Sequence, residues 1–346
     1  MRSLARYAVA NTAVRSKLAT LLKREHYEAL ARADSREDAW NILLGTPWGE
    51  KLPAWTEQSS YEIEALLHNL SGTRFRGVVA TLAGKPAEAG KELLSRWDLD
   101  RLEYALRLWH GKESDATAVS GYQTYVQTFS TEAVVSSDTL EDVVRVLEHT
   151  PYAAVIEGAA SDYKQKHSLF YLENALEKDF YQRVIDSLSR LGGLDGDEAR
   201  AMVDAEIDFL NISTVARLGD YSGIPAGQVH EYLAVGGSLI SRDLRRSERA
   251  GSNVGELLAR TVAGTPSVSR EMSSHLEGVD ALEKALDHIA RLSARRALSG
   301  YPFSFKTILA FYVLTRAEFR QLRSLFAAKC ADTESHVTVP VSPQRR

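Results

Sequence analysis

A single cysteine, nine prolines and no dominant charge are the first shortages in this 346-residue sequence. With Cys330 alone, no intramolecular disulfide and no cysteine-based zinc cage can form, and a reducing compartment is the natural setting. Basic and acidic residues number 42 and 46, a formal charge of −4, which argues against a dedicated nucleic-acid binder. The longest uninterrupted apolar run, Ile308 to Leu314, is seven residues, far below the roughly 20 that a membrane-spanning helix requires. Arg2, Arg6, Arg15 and Lys17 break up the start, so no signal peptide is expected there. Few prolines, sparse strand patterns and long stretches of Ala, Leu, Arg and Glu leave an all-α chain as the expectation.

Catalytic signatures are missing as well. Gly77 to Lys85 falls short of a phosphate loop, because Val79 interrupts the pattern and Pro86 follows Lys85. Gly219-Asp220-Tyr221-Ser222-Gly223 places its Ser one position too late for a nucleophile elbow. The nine histidines never pair at helical spacing, and no Asp-Asp-x-x-Asp run occurs. Asp204, Glu206 and Asp208 share one stretch and read as a solvated or salt-bridged face rather than an acid–base pair. No catalytic residue, cofactor site or metal site is therefore assigned.

What the sequence does hold is repetition. Residues 97–107 align without gaps on 207–217 and on 317–327, about 110 residues apart. An acid recurs at Asp98, Asp208 and Glu318. Beside it runs one helical stripe at i, i+3, i+6, i+7: Leu99/Phe209/Phe319, Leu102/Ile212/Leu322, Ala105/Val215/Leu325 and Leu106/Ala216/Phe326. Thr46-Pro47, Thr150-Pro151 and Thr265-Pro266 precede the three acids by 52, 58 and 53 residues, each reading as a helix restart with Thr as N-cap and Pro at the first position. Gly45 and Gly264 just before two of these pairs suit a left-handed helix stop. Arg107 and Arg217 fall in a last helical turn, where a cation meets the negative end of the helix dipole.

The three acids are the candidate site residues. Mid-helix beside a buried stripe, each either takes up an N–H or an Arg across the seam, the favoured role because interior acids are normally paired, or faces a partner.

The expected units are 1–111, 112–225 and 226–330, followed by a tail, 331–346, too poor in apolar residues to pack and expected to be disordered. Unit 1 opens with a long helix over 3–33, then a helix started by Ser35 with Asp38, a helical region from Thr46-Pro47 to about Leu70, and a helix from Pro86 to His110 stopped by Gly111. Unit 2 has a loop over 112–122, helices over 141–148 and 172–191, and a helix capped by Asp197 that reaches Leu218 before a Gly/Pro linker, 219–227. Unit 3 carries a helix over 276–298 and a last helix capped by Ser304.

At these residues a family resemblance becomes visible. Glu206-Ile207-Asp208-Phe209-Leu210-Asn211-Ile212 followed by Arg217 resembles the central repeat of the C subunit of the V/A-type ATPases, whose eukaryotic counterpart is the d subunit of the V-ATPase. Tyr7-Ala8-Val9-Ala10-Asn11, Leu43-Leu44-Gly45-Thr46-Pro47-Trp48, residues 172–181 and Glu318-Phe319-Arg320-Gln321-Leu322-Arg323 agree with it; Gln321 stands where Asn is usual and Ala328 where Gly is. The resemblance implies an all-α, funnel-shaped protein of three similar helical units around a pseudo-threefold axis. It implies a non-catalytic rotor part on the cytoplasmic face of the membrane, joining the D and F subunits of the central stalk to the membrane rotor ring of c/K subunits and transmitting torque for proton or sodium transport. The alternative is an all-helical adaptor or scaffold with no part in ion transport.

Overall fold

The computed structural model describes residues 2–56, 58–112, 117–220, 226–237 and 279–337, and every regular element among them is helical. In chain order these are α1 (Arg2–Leu18), α2 (Arg24–Arg32), α3 (Arg36–Leu44), α4 (Ser60–Val79), α5 (Lys85–Gly111), α6 (Thr117–Ser120) and α7 (Thr131–Val135). Then follow α8 (Leu140–Val146), α9 (Tyr152–Lys166), α10 (Phe170–Leu191), α11 (Gly193–Asp220), α12 (Val279–Leu298) and α13 (Phe305–Val337). Two 3-10 turns, Gly49–Lys51 and Ala226–Tyr232, complete the set.

Local chemistry explains most boundaries. Ser59 and Glu62 close a capping box on α4, and Thr139 and Asp142 close one on α8, each satisfying two N–H groups that the first helical turn leaves over. Pro86 sits at the start of α5 behind Gly84, whose φ of +59° a side chain would resist. Ser35 Oγ accepts the Asp38 N–H and starts α3.

Three helix pairs, α4/α5, α10/α11 and α12/α13, carry the fold. Neighbouring pairs are in contact through α5 and α10, through α11 with α12 and α13, and through α13 with α4, so the contacts close on themselves. The main core packs Phe75 on Trp97 with centroids 5.5 Å apart, and Tyr312 edge-on to both. A second apolar cluster seats Trp40, Leu43 and Trp48 against Leu322 and Phe326 of α13.

Several expected boundaries shift, for tertiary reasons. The opening helix is interrupted at 19–23, because the Leu22 N–H bonds to Glu318 Oε1 at 2.5 Å and Arg74 reaches the Thr20 carbonyl at 3.2 Å. After Thr46-Pro47 comes only a 3-10 turn and a loop, and helix resumes at Ser60. Gly45 is right-handed, φ −75°, since the Thr46 side chain holds the turn by donating to the Leu43 carbonyl and accepting the Trp48 N–H. Thr150 makes the same two bonds, to the Leu147 carbonyl and the Tyr152 N–H. Thr265-Pro266 and Gly264 lie outside the described residues. The expected loop over 112–122 includes the helical turn α6.

α11 begins at Gly193, so Asp197 is inside the helix rather than its cap. Asp195 in the first turn instead reaches out, accepting the Phe305 N–H at 2.6 Å and the Tyr7 hydroxyl; the start of α13 is thus bonded across the fold, while Ser304 donates to the Tyr301 carbonyl. α11 continues to Asp220, into the expected linker, and α13 to Val337, past residue 331.

Candidate partner-binding site

The three recurring acids are buried, with side chains turned to loops of their own chain. Asp98, fully buried on α5, accepts backbone N–H groups from Tyr125, Val126 and Gln127 at 2.9, 2.7 and 3.0 Å, with Arg101 3.6 Å away. Glu318 on α13 accepts the Leu22 N–H and pairs with Arg74 at 2.9 Å. Asp208 on α11 lies against the 236–237 backbone, so close that a Cβ added at Gly237 would fall 2.4 Å from its Oδ1. Burial pushes the Asp98 and Glu318 carboxyls upward, against the pull of the N–H donors and, for Glu318, of Arg74. Of the stripe beside them, Leu102, Ile212 and Leu322 are all fully buried. Phe209 is only half-buried because it lines a cavity.

That cavity, about 230 Å³, lies where the three helix pairs meet. α4 contributes Glu64 and His68; α5 Arg96, Asp100, Glu103 and Arg107; α10 Glu173 and Glu177; α11 Glu206; α12 Asp287; and α13 Arg316, Arg320 and Arg323. Seven carboxylates thus face five guanidinium groups. Arg96 is the hub, donating to Asp100 at 2.9 Å and to Glu177 at 2.7 Å. Arg316 forks onto Asp100, joining α13 to α5, and Arg107 pairs with Glu173 at 2.6 Å, joining α5 to α10. Arg320 bonds Asp287 at 2.7 Å. Such partly buried pairs, bidentate in Arg316–Asp100 and Arg96–Glu177, fix side-chain geometry more than they stabilise, since desolvation offsets much of the attraction.

Charge states follow from this geometry. Burial pushes the Asp100 carboxyl up, but Arg316 and Arg96 outweigh it and hold the group well below the usual range. Glu103 goes the other way: burial and the neighbouring Glu177 drive it well above the ordinary value despite Arg96. Glu206 is raised by burial, opposed by Arg320. His68, 1% exposed, is lowered to about 4 by burial, against the attraction of Asp100 at 3.8 Å. It is neutral at physiological pH.

The sequence offers no signal for most of this wall. Glu103, Glu177 and Arg316 come from three different helices and match no motif, whereas Glu206 sits in a recognisable run that reads, in sequence, only as a solvated or paired face. Among the described residues no group of His, Cys, Asp and Glu is arranged to hold a metal ion, and no helix is long and apolar enough to cross a membrane.

Comparison with known proteins gives a consistent pattern. A family model described as "ATP synthase (C/AC39) subunit" matches residues 10–337. A protein of Methanosphaera stadtmanae, named as the C subunit of an A-type ATP synthase, is 20% identical over 93% of this chain and 84% of its own length. Proteins named in the same way from Methanocaldococcus jannaschii, 23% identical over 94% of this chain and 83% of its own length, and from Haloferax volcanii, 26% identical over 90% of each, are similar in extent.

Proposed function

We infer the role of this chain from its family: it belongs to the ATP synthase (C/AC39) subunit family. It is a subunit of an ATP synthase or ATPase of the V/A type, and we propose that within that machine it is a non-catalytic rotor part. Three units, 1–111, 112–225 and 226–330, stand around a pseudo-threefold axis as a funnel. The central stalk, made of the D and F subunits, enters the cavity between the helix pairs, and another surface rests on the cytoplasmic side of the membrane rotor ring of c/K subunits.

The observation that carries this reading is the cavity: three helix pairs of one chain converge on a single charged recess whose walls are cross-braced by Arg316–Asp100, Arg96–Glu177 and Arg107–Glu173. Side chains locked in this way suit a part that must pass torque, because preorganised charge gives register to a docked partner without refolding. The related loop anchoring by Asp98 and Glu318, and the shared bonds of Thr46 and Thr150, support the repeated units.

A binding experiment tests the linkage. Detergent-solubilised rotor ring and purified D–F pair are mixed with and without this chain and separated by size. A complex containing both ring and stalk is expected only when the chain is present; equal ring–stalk association in its absence refutes the linker role.

A further inference from the structure

The cavity wall contains carboxylates that its own arginines meet without a hydrogen bond. Glu206, half-buried in the cavity wall, makes no hydrogen bond and no close ion pair among the described residues, and the charge that opposes its burial most is Arg320. Glu103, 6% exposed, stands at ion-pair distance from Arg96 and Arg107, 3.8 and 3.7 Å, beyond hydrogen-bond reach. Three further side chains on the same wall carry buried polar atoms with no hydrogen-bond partner: both ring nitrogens of His68 and the hydroxyls of Tyr122 and Ser213. Buried polar groups are seldom left in this condition, and here they stand beside two carboxylates that make no hydrogen bond.

We propose that the cavity receives a basic polypeptide tip, with Glu206 and Glu103 as the carboxylates that take up its Lys or Arg side chains. The proposal rests on the stalk-docking reading above and names the chemistry of what docks. Phe209, Leu210 and Phe319 line the same recess and would flank the methylene stem of a Lys or Arg whose charged end reaches a carboxylate. A bare metal ion fits less well, since these acids are not grouped for ligation. Burial raises both carboxyls, Glu103 also under Glu177 and Glu206 also under Asp287, against Arg96 and Arg320 respectively; an incoming cation adds to the partial counter-charge these arginines supply.

The test measures the dissociation constant of the full chain for the purified D–F pair by calorimetry. Glu206→Gln should weaken binding roughly tenfold and Glu206→Lys roughly a hundredfold, within the span of close interfacial charge pairs, with Glu103→Gln adding to the loss. Raising salt should weaken the wild type more than Glu206→Gln. Circular dichroism of each variant shows that the helical fold is kept, and Glu206→Gln, equal in size, guards against misfolding. Binding within twofold of wild type for both Glu206 variants overturns this proposal and leaves stalk docking intact. No binding by the wild type itself overturns both.

Discussion

Replacing Asp98 by alanine removes the acceptor of three backbone N–H groups at once, those of Tyr125, Val126 and Gln127, and leaves Arg101, 3% exposed, without its nearest carboxylate. Orphaning a buried donor costs about 1–3 kcal/mol and stranding a buried charge about 3–5 kcal/mol. Local relaxation and water entry at the part-buried N–H groups return some of this. Arg101 also keeps the Gln127 and Phe129 carbonyls and the Phe129 ring, 4.0 Å from its guanidinium carbon. A net loss of about 4 kcal/mol is expected. With an unfolding entropy of about 2.1 cal/mol/K per residue, that lowers the melting temperature by about 5–6 °C. Asp98→Asn, which keeps one oxygen but turns an amide donor toward an N–H, should cost about half as much. Denaturant titration followed by circular dichroism gives the energy, and amide hydrogen exchange gives the place: faster exchange should be concentrated at 122–129. A loss below about 1 kcal/mol for the alanine variant, or no change in exchange there, refutes the reasoning that this acid anchors the loop.

Truncating Leu102, Ile212 or Leu322 to Ala, each fully buried, should destabilise by about 2–5 kcal/mol, and near-zero effects in all three would mean that the stripe does not face the core. On mild acidification His68 contributes a loss of stability, opposed by the raised carboxyls of Glu103, Glu206, Asp98 and Glu318, which take up protons in the folded chain first. His68 is held near 4 while the unfolded imidazole titrates near 6.5, so the unfolded chain gains a proton in that window that the folded chain refuses. The contribution is complete above pH 6.5, is lost as pH falls to 4, and amounts to about 3 kcal/mol. Asp100, depressed by Arg316 and Arg96, adds its own loss only below the ordinary carboxylate range, near pH 4. The stability of wild type relative to His68→Phe should therefore fall as pH drops from 6.5 to 4 and change little below that. Denaturant midpoints measured across this range check both parts.

The helices are legible wherever their signals are local. The Ser35 cap, the 172–191 amphipathic stretch and the fully buried columns at 102, 212 and 322 all stand in the sequence as periodicity or cap chemistry, whereas the helix expected to stop at Gly111 takes that residue in and ends on Lys112, left-handed at φ +55°. The misplaced features are those decided across the fold. Nothing near Leu22 announces that Glu318 will take its N–H and break the first helix, and nothing near Phe305 announces Asp195. Asp98, Asp208 and Glu318 are visible because they recur. The cavity is not, because its wall is drawn from six helices and each side chain has its meaning only beside residues distant in sequence, as Arg96 does beside Glu177 and Arg316 beside Asp100. A repeat exposes shared structural needs; the polar residues that differ between copies, Glu103, Ser213 and Arg323, line the recess instead.

The central claim, that this chain couples rotation without doing chemistry, is tested most directly by reconstituting the whole ATPase in vesicles with and without it and recording ATP hydrolysis and ion uptake together. With the chain, the two should run in a fixed ratio. Without it, hydrolysis should continue while ion uptake stops, because the mechanical path is cut and the catalytic head is not. Undiminished ATP-driven ion uptake in its absence would contradict the account.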